Sequence, residues 1–222
     1  MRRLGTFLAC AIVAVCGYAV SVSLFTATGF SFVTLGENVN DAGVAWASTT
    51  SIYANDDVYA TSTPVQNSIM DKLRGTMSTP FAVPGTATIN GVEVRYRRLE
   101  IASGNDITST SVQLTRAGAV IGSASTNATG WAISEEVVTL GGAADLWGAA
   151  LTPTIVNDTD FGAVIWGQWS NDPPDFGEAG VDSIEINVHY TEAATGGKHL
   201  PVLGVGLLVK KQTGWRVLDK AA

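Results

Sequence analysis

Strict alternation in the run 182–192, DSIEINVHYTE, limits this chain more than any other feature. Ile184, Ile186, Val188 and Tyr190 alternate with Glu185, Asn187 and His189. An extended backbone puts the first set on one face and the second on the other, whereas a helix would scatter both. The run 92–98, VEVRYRR, repeats the pattern, with Val92, Val94 and Tyr96 on the dry side and Glu93, Arg95 and Arg97 on the wet side. Strands with one dry face need a second apolar layer, so the sequence predicts packed sheets.

Further β-rich runs at 56–63, 79–84, 111–118, 135–140 and 161–169 are separated by turn clusters. The clusters include Pro84-Gly85, Asn90-Gly91, Ser103-Gly104-Asn105-Asp106, Gly141-Gly142 and Asn171-Asp172-Pro173-Pro174. Punctuation about every ten residues is the all-β signature. In FGAVIWGQW, Phe161, Ala163 and Ile165 share one face and Val164 and Trp166 the other. One of Trp166 and Trp169, together with Trp147, is expected in the core or at a sheet edge. Twenty-four glycines and only 15% charged residues disfavour long helices. A single helical turn is expected, within either 144–147 or 66–73.

The predicted architecture is all-β: a single antiparallel β-sandwich over residues 43–193, an apolar segment over 1–36, and a linker with a C-terminal hairpin over 194–222. The N-terminal segment has two readings. Arg2-Arg3 followed by LGTFLACAIVAVCGYA has the form of a secretory signal, and the stretch is long enough to anchor in a bilayer. Its second half alternates instead. Val20, Val22 and Leu24 would form one strand and Phe30 and Phe32 another, joined at Thr28-Gly29 in a hairpin that buries itself on a neighbouring subunit. In the tail, Val205, Leu207 and Val209 lead into Lys211-Gln212-Thr213-Gly214, and Trp215, Val217 and Leu218 return.

Between residues 37 and 192 there are 19 acidic and six basic side chains, a net of −13. Such a domain repels nucleic acid and anionic membranes. Both cysteines, Cys10 and Cys16, lie in the N-terminal run, so neither a disulfide framework nor a cysteine zinc site is expected in the sandwich.

The phrases NDDVYATST (55–63), VPGTATINGVEVRYRR (83–98), TLGGAADLWG (139–148), LTPTIVNDTDFGAVIWG (151–167) and VDSIEINVHYT (181–191) occur in that order. In this the chain resembles a family of β-sandwich modules, jelly-roll or galactose-binding-like in fold. That family is found in phage structural proteins and in secreted or surface proteins of prokaryotes. The resemblance covers about residues 43–193 and implies a structural role with no catalytic motif to carry over.

Chemistry is sparsely signalled. The histidines are His189, on a wet strand face, and His199, in a connector, and no G-x-S-x-G is present. Carboxylates cluster at Asp56-Asp57, Glu135-Glu136, Asp158 with Asp160, and Asp172, Asp175 and Glu178, where turn residues are the ordinary reading. Asn171, Asp172, Asp175 and Glu178 supply hard oxygen donors within eight positions and form a candidate structural calcium site, with Asn55, Asp56 and Asp57 a second. No other cofactor is expected. Of six tryptophans, Trp131 follows a polar stretch and is the one expected to be exposed and to offer a ligand platform.

These readings lead to a non-enzymatic structural protein of a tailed-phage-like virion, a capsid decoration or tail accessory protein. It would self-associate and contact other virion or surface proteins. The alternative is a secreted or membrane-tethered bacterial surface module that binds carbohydrate. Neither involves nucleic acid.

Overall fold

The computed structural model describes residues 24–63, 68–101, 107–169, 177–193, 210–211 and 214–215. The chain divides into two units. One is Leu24–Ala193; the other joins Met1–Ser23 with Ala194–Ala222. In the second, the strands Lys210–Lys211 and Gly214–Trp215 form an antiparallel ladder in which Lys210 faces Trp215 and Lys211 faces Gly214. His199, Val205, Leu207, Val209, Val217 and Leu218 lie outside the described residues.

In the first unit the strands run β1 (Leu24–Ala27), β2 (Ser31–Phe32), β3 (Leu35–Val39), β4 (Trp46–Ala47), β5 (Ala60–Ser62), β6 (Lys72–Thr76), β7 (Thr88–Ile101), β8 (Ile107–Arg116), β9 (Ala119–Asn127), β10 (Glu136–Gly141), β11 (Gly162–Trp169) and β12 (Glu178–Glu192). A 3₁₀ turn (Thr49–Ile52) and one short helix, α1 (Pro153–Val156), interrupt them. Strands β5 to β12 build two four-stranded layers, in the orders β5-β12-β7-β10 and β6-β11-β8-β9. Every neighbouring pair is antiparallel. Eight strands crossing between two sheets in these orders make a jelly roll. The first layer (sheet A) gains β4, β1 and β2, and the second (sheet B) gains β3.

The alternation seen in the sequence decides what each layer buries. On the inner face of sheet A, Val92, Val94 and Tyr96 stand opposite Val188, Ile186 and Ile184. On that of sheet B, Leu73, Ile165 and Val112 form one cross-strand row, and Gly75, Ala163 and Leu114 the next. These side chains join Trp46, Trp131, Trp147, Phe161 and Trp169 in one core. Each large side chain so buried stabilises the fold by about 1.5–3 kcal/mol before entropy is counted.

Several expectations are corrected. The N-terminal hairpin does not form among the described residues: β1 and β2 lie one after the other on β12, with Ala27 opposite His189 and Ser31 opposite Ile186. The strap from Leu24 thus completes this chain's own sheet, and the compact unit starts about twenty residues before position 43. No strand forms over 79–84, where Pro80 and Pro84 cannot donate to a ladder. Asn157 brackets Val83 instead, accepting from its N–H and donating to its carbonyl. The region 68–73 runs into strand β6 rather than a helical turn, because Leu73 is needed in the core row. Residues 142–145 and 146–149 close two successive turns, and the helix sits at Pro153–Val156, where the Thr152 hydroxyl accepts from Ile155 N–H and proline occupies the first turn. Strand β9, which shows little apolar alternation, folds back on β8 through Ala117 and Gly118, both at positive φ.

Candidate functional site

Parity along β11 sends Ile165 and Trp169 inward and Trp166 and Gln168 out of sheet B. Trp169 is buried and donates its indole N–H to the Gly177 carbonyl; Trp147 is buried and donates to Val92. Trp166 remains half-exposed. It stands opposite Ser111, which in turn stands opposite Thr126, and the two hydroxyls are 3.1 Å apart. On its other flank is Lys72 of β6, whose ammonium lies 5.3 Å from the indole centroid.

Two depressions meet at this indole. The larger, about 530 Å³ and open to solvent, is lined by Asp41, Ala42, Ser68, Ile69, Lys72 and Trp166. The smaller, about 70 Å³, lies between Ile69, Trp166, Gln168, Ser109 and Ser111. Ile69 and Trp166 belong to both, so together they form one groove with an aromatic centre, an apolar shoulder and polar ends.

The wall carrying Asp41 and Ala42 is set by a buried carboxylate. Asp71 is 2% exposed and accepts from the N–H groups of Asp41 and Gly43 and from the Asn38 amide. Burial alone would raise its pKa, but these three donors outweigh burial and hold it below the usual carboxylate value. Asn38 also accepts from Trp46 N–H, and the Trp46 indole donates to the Asp71 carbonyl. Gly43 is required there, since a Cβ would come within 2.6 Å of Asp71 and Ile69 backbone atoms. Asp41 is thereby placed to pair with Lys72 beside the indole.

The residues singled out from sequence fare differently. Trp131 is not a surface platform. It is fully buried, donates to Thr110 Oγ1 at 2.6 Å, and lies under the Arg98 guanidinium at 5.2 Å. The polar stretch before it belongs largely to edge strand β9 and says nothing about its own side chain. Of the calcium candidates, Asn171, Asp172 and Asp175 lie outside the described residues, while Glu178 opens β12 opposite Ile101. Among the described residues no group of three acidic, histidine or cysteine side chains converges to hold a metal. Asp56 accepts from Val58 N–H and donates its own N–H to Asp182.

The other carboxylates mostly face cations. Glu135 pairs with Arg97, Glu136 with Arg98, Asp158 with Arg116 and Glu185 with Arg95. His189 Nε2 lies 2.8 Å from Glu93 Oε2, to which Asn187 also donates. Burial would raise the Glu93 pKa, but the His189 and Asn187 hydrogen bonds lower it overall. Asp182 runs the other way: burial and the nearby Glu135 and Asp56 charges raise its pKa, and one of its oxygens has no partner. The Tyr59 hydroxyl, partly buried and close to Glu135, Asp57 and Asp182, is pushed up to about 12. The Arg95–Glu185, Arg97–Glu135 and Glu93–His189 contacts lie on the outer face of sheet A, whereas Arg98 is buried against Thr110 inside the sandwich and Arg116 belongs to β8 of sheet B.

Sequence reasoning missed the Trp166 groove, although the parity of FGAVIWGQW had put Trp166 away from Ile165. The choice between Trp166 and Trp169 was the available signal. Asp71 gave none.

No family model and no curated protein matches the chain. Among solved structures it is similar to TmCBM61, determined in complex with β-1,4-galactotriose, at 8% identity and a TM-score of 0.35, covering 75% of this chain and 88% of that one. It is similar also to the family 30 carbohydrate-binding module of the cellulosomal cellulase Cel9D-Cel44B of Clostridium thermocellum, at 9% identity, TM-score 0.36, and 73% and 96% coverage. A third is CBM35 from Cellvibrio japonicus Abf62, at 10% identity, TM-score 0.33, and 79% and 100% coverage. The fold assignment stands on this chain's own strand order and register.

Proposed function

We propose that this protein is a non-catalytic β-sandwich module that binds carbohydrate in the Trp166 groove, carried outside the cell by its N-terminal segment. The carrying observation is the half-exposed indole at the meeting point of two polar-ended depressions. A sugar ring has an apolar C–H face and a rim of hydroxyls. An indole supplies broad apolar area for the face, while Ser109, Ser111, Gln168, Asp41 and Lys72 supply donors and acceptors for the rim. The outward-facing position of Trp166 supports a recognition role, since nothing in the core requires an aromatic residue there.

The test is binding of the full chain to a panel of soluble polysaccharides by affinity electrophoresis. We expect retardation by at least one polysaccharide, lost in Trp166→Ala. Retardation that survives Trp166→Ala, or none with any polysaccharide, would refute the proposal.

A further inference from the structure

We infer that the groove takes an uncharged, linear saccharide laid across the strands, with three successive rings over β6, β11 and β8–β9 and the middle ring on Trp166. This rests on the carbohydrate reading above and specifies its ligand. Direction comes first. Lys72, Trp166, Ser111 and Thr126 form one row perpendicular to the strands, by the register of β11 with β8 and of β8 with β9 and by the contact of Lys72 with the indole.

The next row along the strands is closed. Arg74 pairs with Glu37, Val164 is buried, and the Gln113 amide donates to the Gly122 carbonyl. On the opposite side Ile69, Gln168 and Ser109 form a second bank, with Ile69 bridged to Gln168. A trough with banks on those two sides opens only across the strands. A ligand following it steps from strand to strand, about 4.8 Å at a time. That step is close to the length of one hexopyranose unit, and because Ser111 and Thr126 bond to one another and act as a single polar contact, the row offers one ring to β6, one to β11 and one to β8–β9.

Charge decides the class of sugar. Both cations bordering the trough are already neutralised, Lys72 by Asp41 and Arg74 by Glu37. The β8–β9 end presents the hydroxyls of Ser111 and Thr126, and the bank beside it adds the Ser109 hydroxyl and the Gln168 amide of β11. A uronate or sulfated sugar would have to pull Lys72 from Asp41 while approaching a domain rich in carboxylates. Neutral hydroxyls can bond to the same groups without displacing either ion pair.

Calorimetric titration of the full chain separates these points. The probes are cello-, manno-, xylo- and malto-oligosaccharides of one to five units, with oligogalacturonates as the charged series. In at least one neutral series we expect affinity to rise more than about tenfold from one unit to three and less than about twofold beyond three. It should change less than about twofold between roughly 50 and 500 mM salt. Trp166→Ala should abolish it. Preference for galacturonates, a steep loss with salt, or a plateau at one unit would overturn the inference while leaving carbohydrate binding intact. Silence from every series would remove the carbohydrate reading itself.

Discussion

The two outer faces of this sandwich use similar residues to opposite ends. On sheet A, Arg95 and Glu185, Arg97 and Glu135, and Glu93 with Asn187 and His189 bond to one another across neighbouring strands. Phe30, just before β2, stacks on the Arg95 guanidinium at 3.9 Å, and Glu185 and Asn187 end up only 4% and 6% exposed. On sheet B, a tryptophan at the equivalent outward parity remains half-exposed beside two depressions. Polar side chains bonded to each other hold a sheet together; polar side chains ranged along a groove can hold a ligand. Outward alternation alone does not distinguish these uses.

The contrast can be broken most sharply at the two tryptophans that sequence reasoning ranked the other way. Trp131→Ala should cost about 3–5 kcal/mol in chemical denaturation, because it opens a core cavity and strips partners from Thr110 and Arg98. Trp166→Ala should cost about 1 kcal/mol or less in the same assay, as expected for a half-exposed outer-face position. A large loss at Trp166 would make it a structural residue.

Next in size is the sheet A network. Glu185→Ala leaves Arg95 without its bidentate partner and should cost about 1–3 kcal/mol, less than for a wholly buried pair because Arg95 is partly solvated. Saccharide affinity should stay within about twofold. An affinity loss matching that of Trp166→Ala would show that sheet A serves the ligand too.

Effects of similar size, but dependent on pH, come from the two buried aspartates, which should shift stability in opposite directions with pH. Asp71 has a lowered folded pKa, so its stabilising contribution is present above the ordinary value of 3.8 and fades as pH falls through the lower folded value. Asp71→Asn should therefore destabilise near neutrality, by about 1–3 kcal/mol, and weaken binding through the Asp41 wall. Asp182 has a raised folded pKa, so its contribution is present below 3.8 and is lost as pH rises through the folded value. Asp182→Asn should raise the melting temperature at neutral pH and lose that advantage in acid. Melting curves of both variants across pH check the signs; equal signs would contradict the assignment.

The layers were legible because β7, β11 and β12 send apolar side chains to the inner face by alternation, which residues 92–98, 161–169 and 182–192 display openly; that Glu185 and Asn187 on the outer face of β12 are buried as well was not legible there. The shorter and less apolar elements were not. β9 consists largely of small and polar residues, β6 is five residues long, and β1 and β2 pair with a strand more than 150 positions away, a partnership no local pattern carries. Trp131 was misplaced because neighbouring polarity says nothing about a side chain whose indole N–H finds Thr110 inside the core. The virion role rested on family resemblance, whereas the groove supports the carbohydrate alternative that was read beside it.

The most direct test of the division between the faces is a ¹⁵N spectrum of the full chain with and without the tightest-binding neutral trisaccharide. We expect the indole N–H signal of Trp166 and the amides of Ser109, Ser111 and Gln168 to move, with those of Trp46, Trp131, Trp147 and Trp169 and of the Glu93–His189 face unchanged. Shifts centred on Glu93, Asn187 and His189, with Trp166 still, would contradict it.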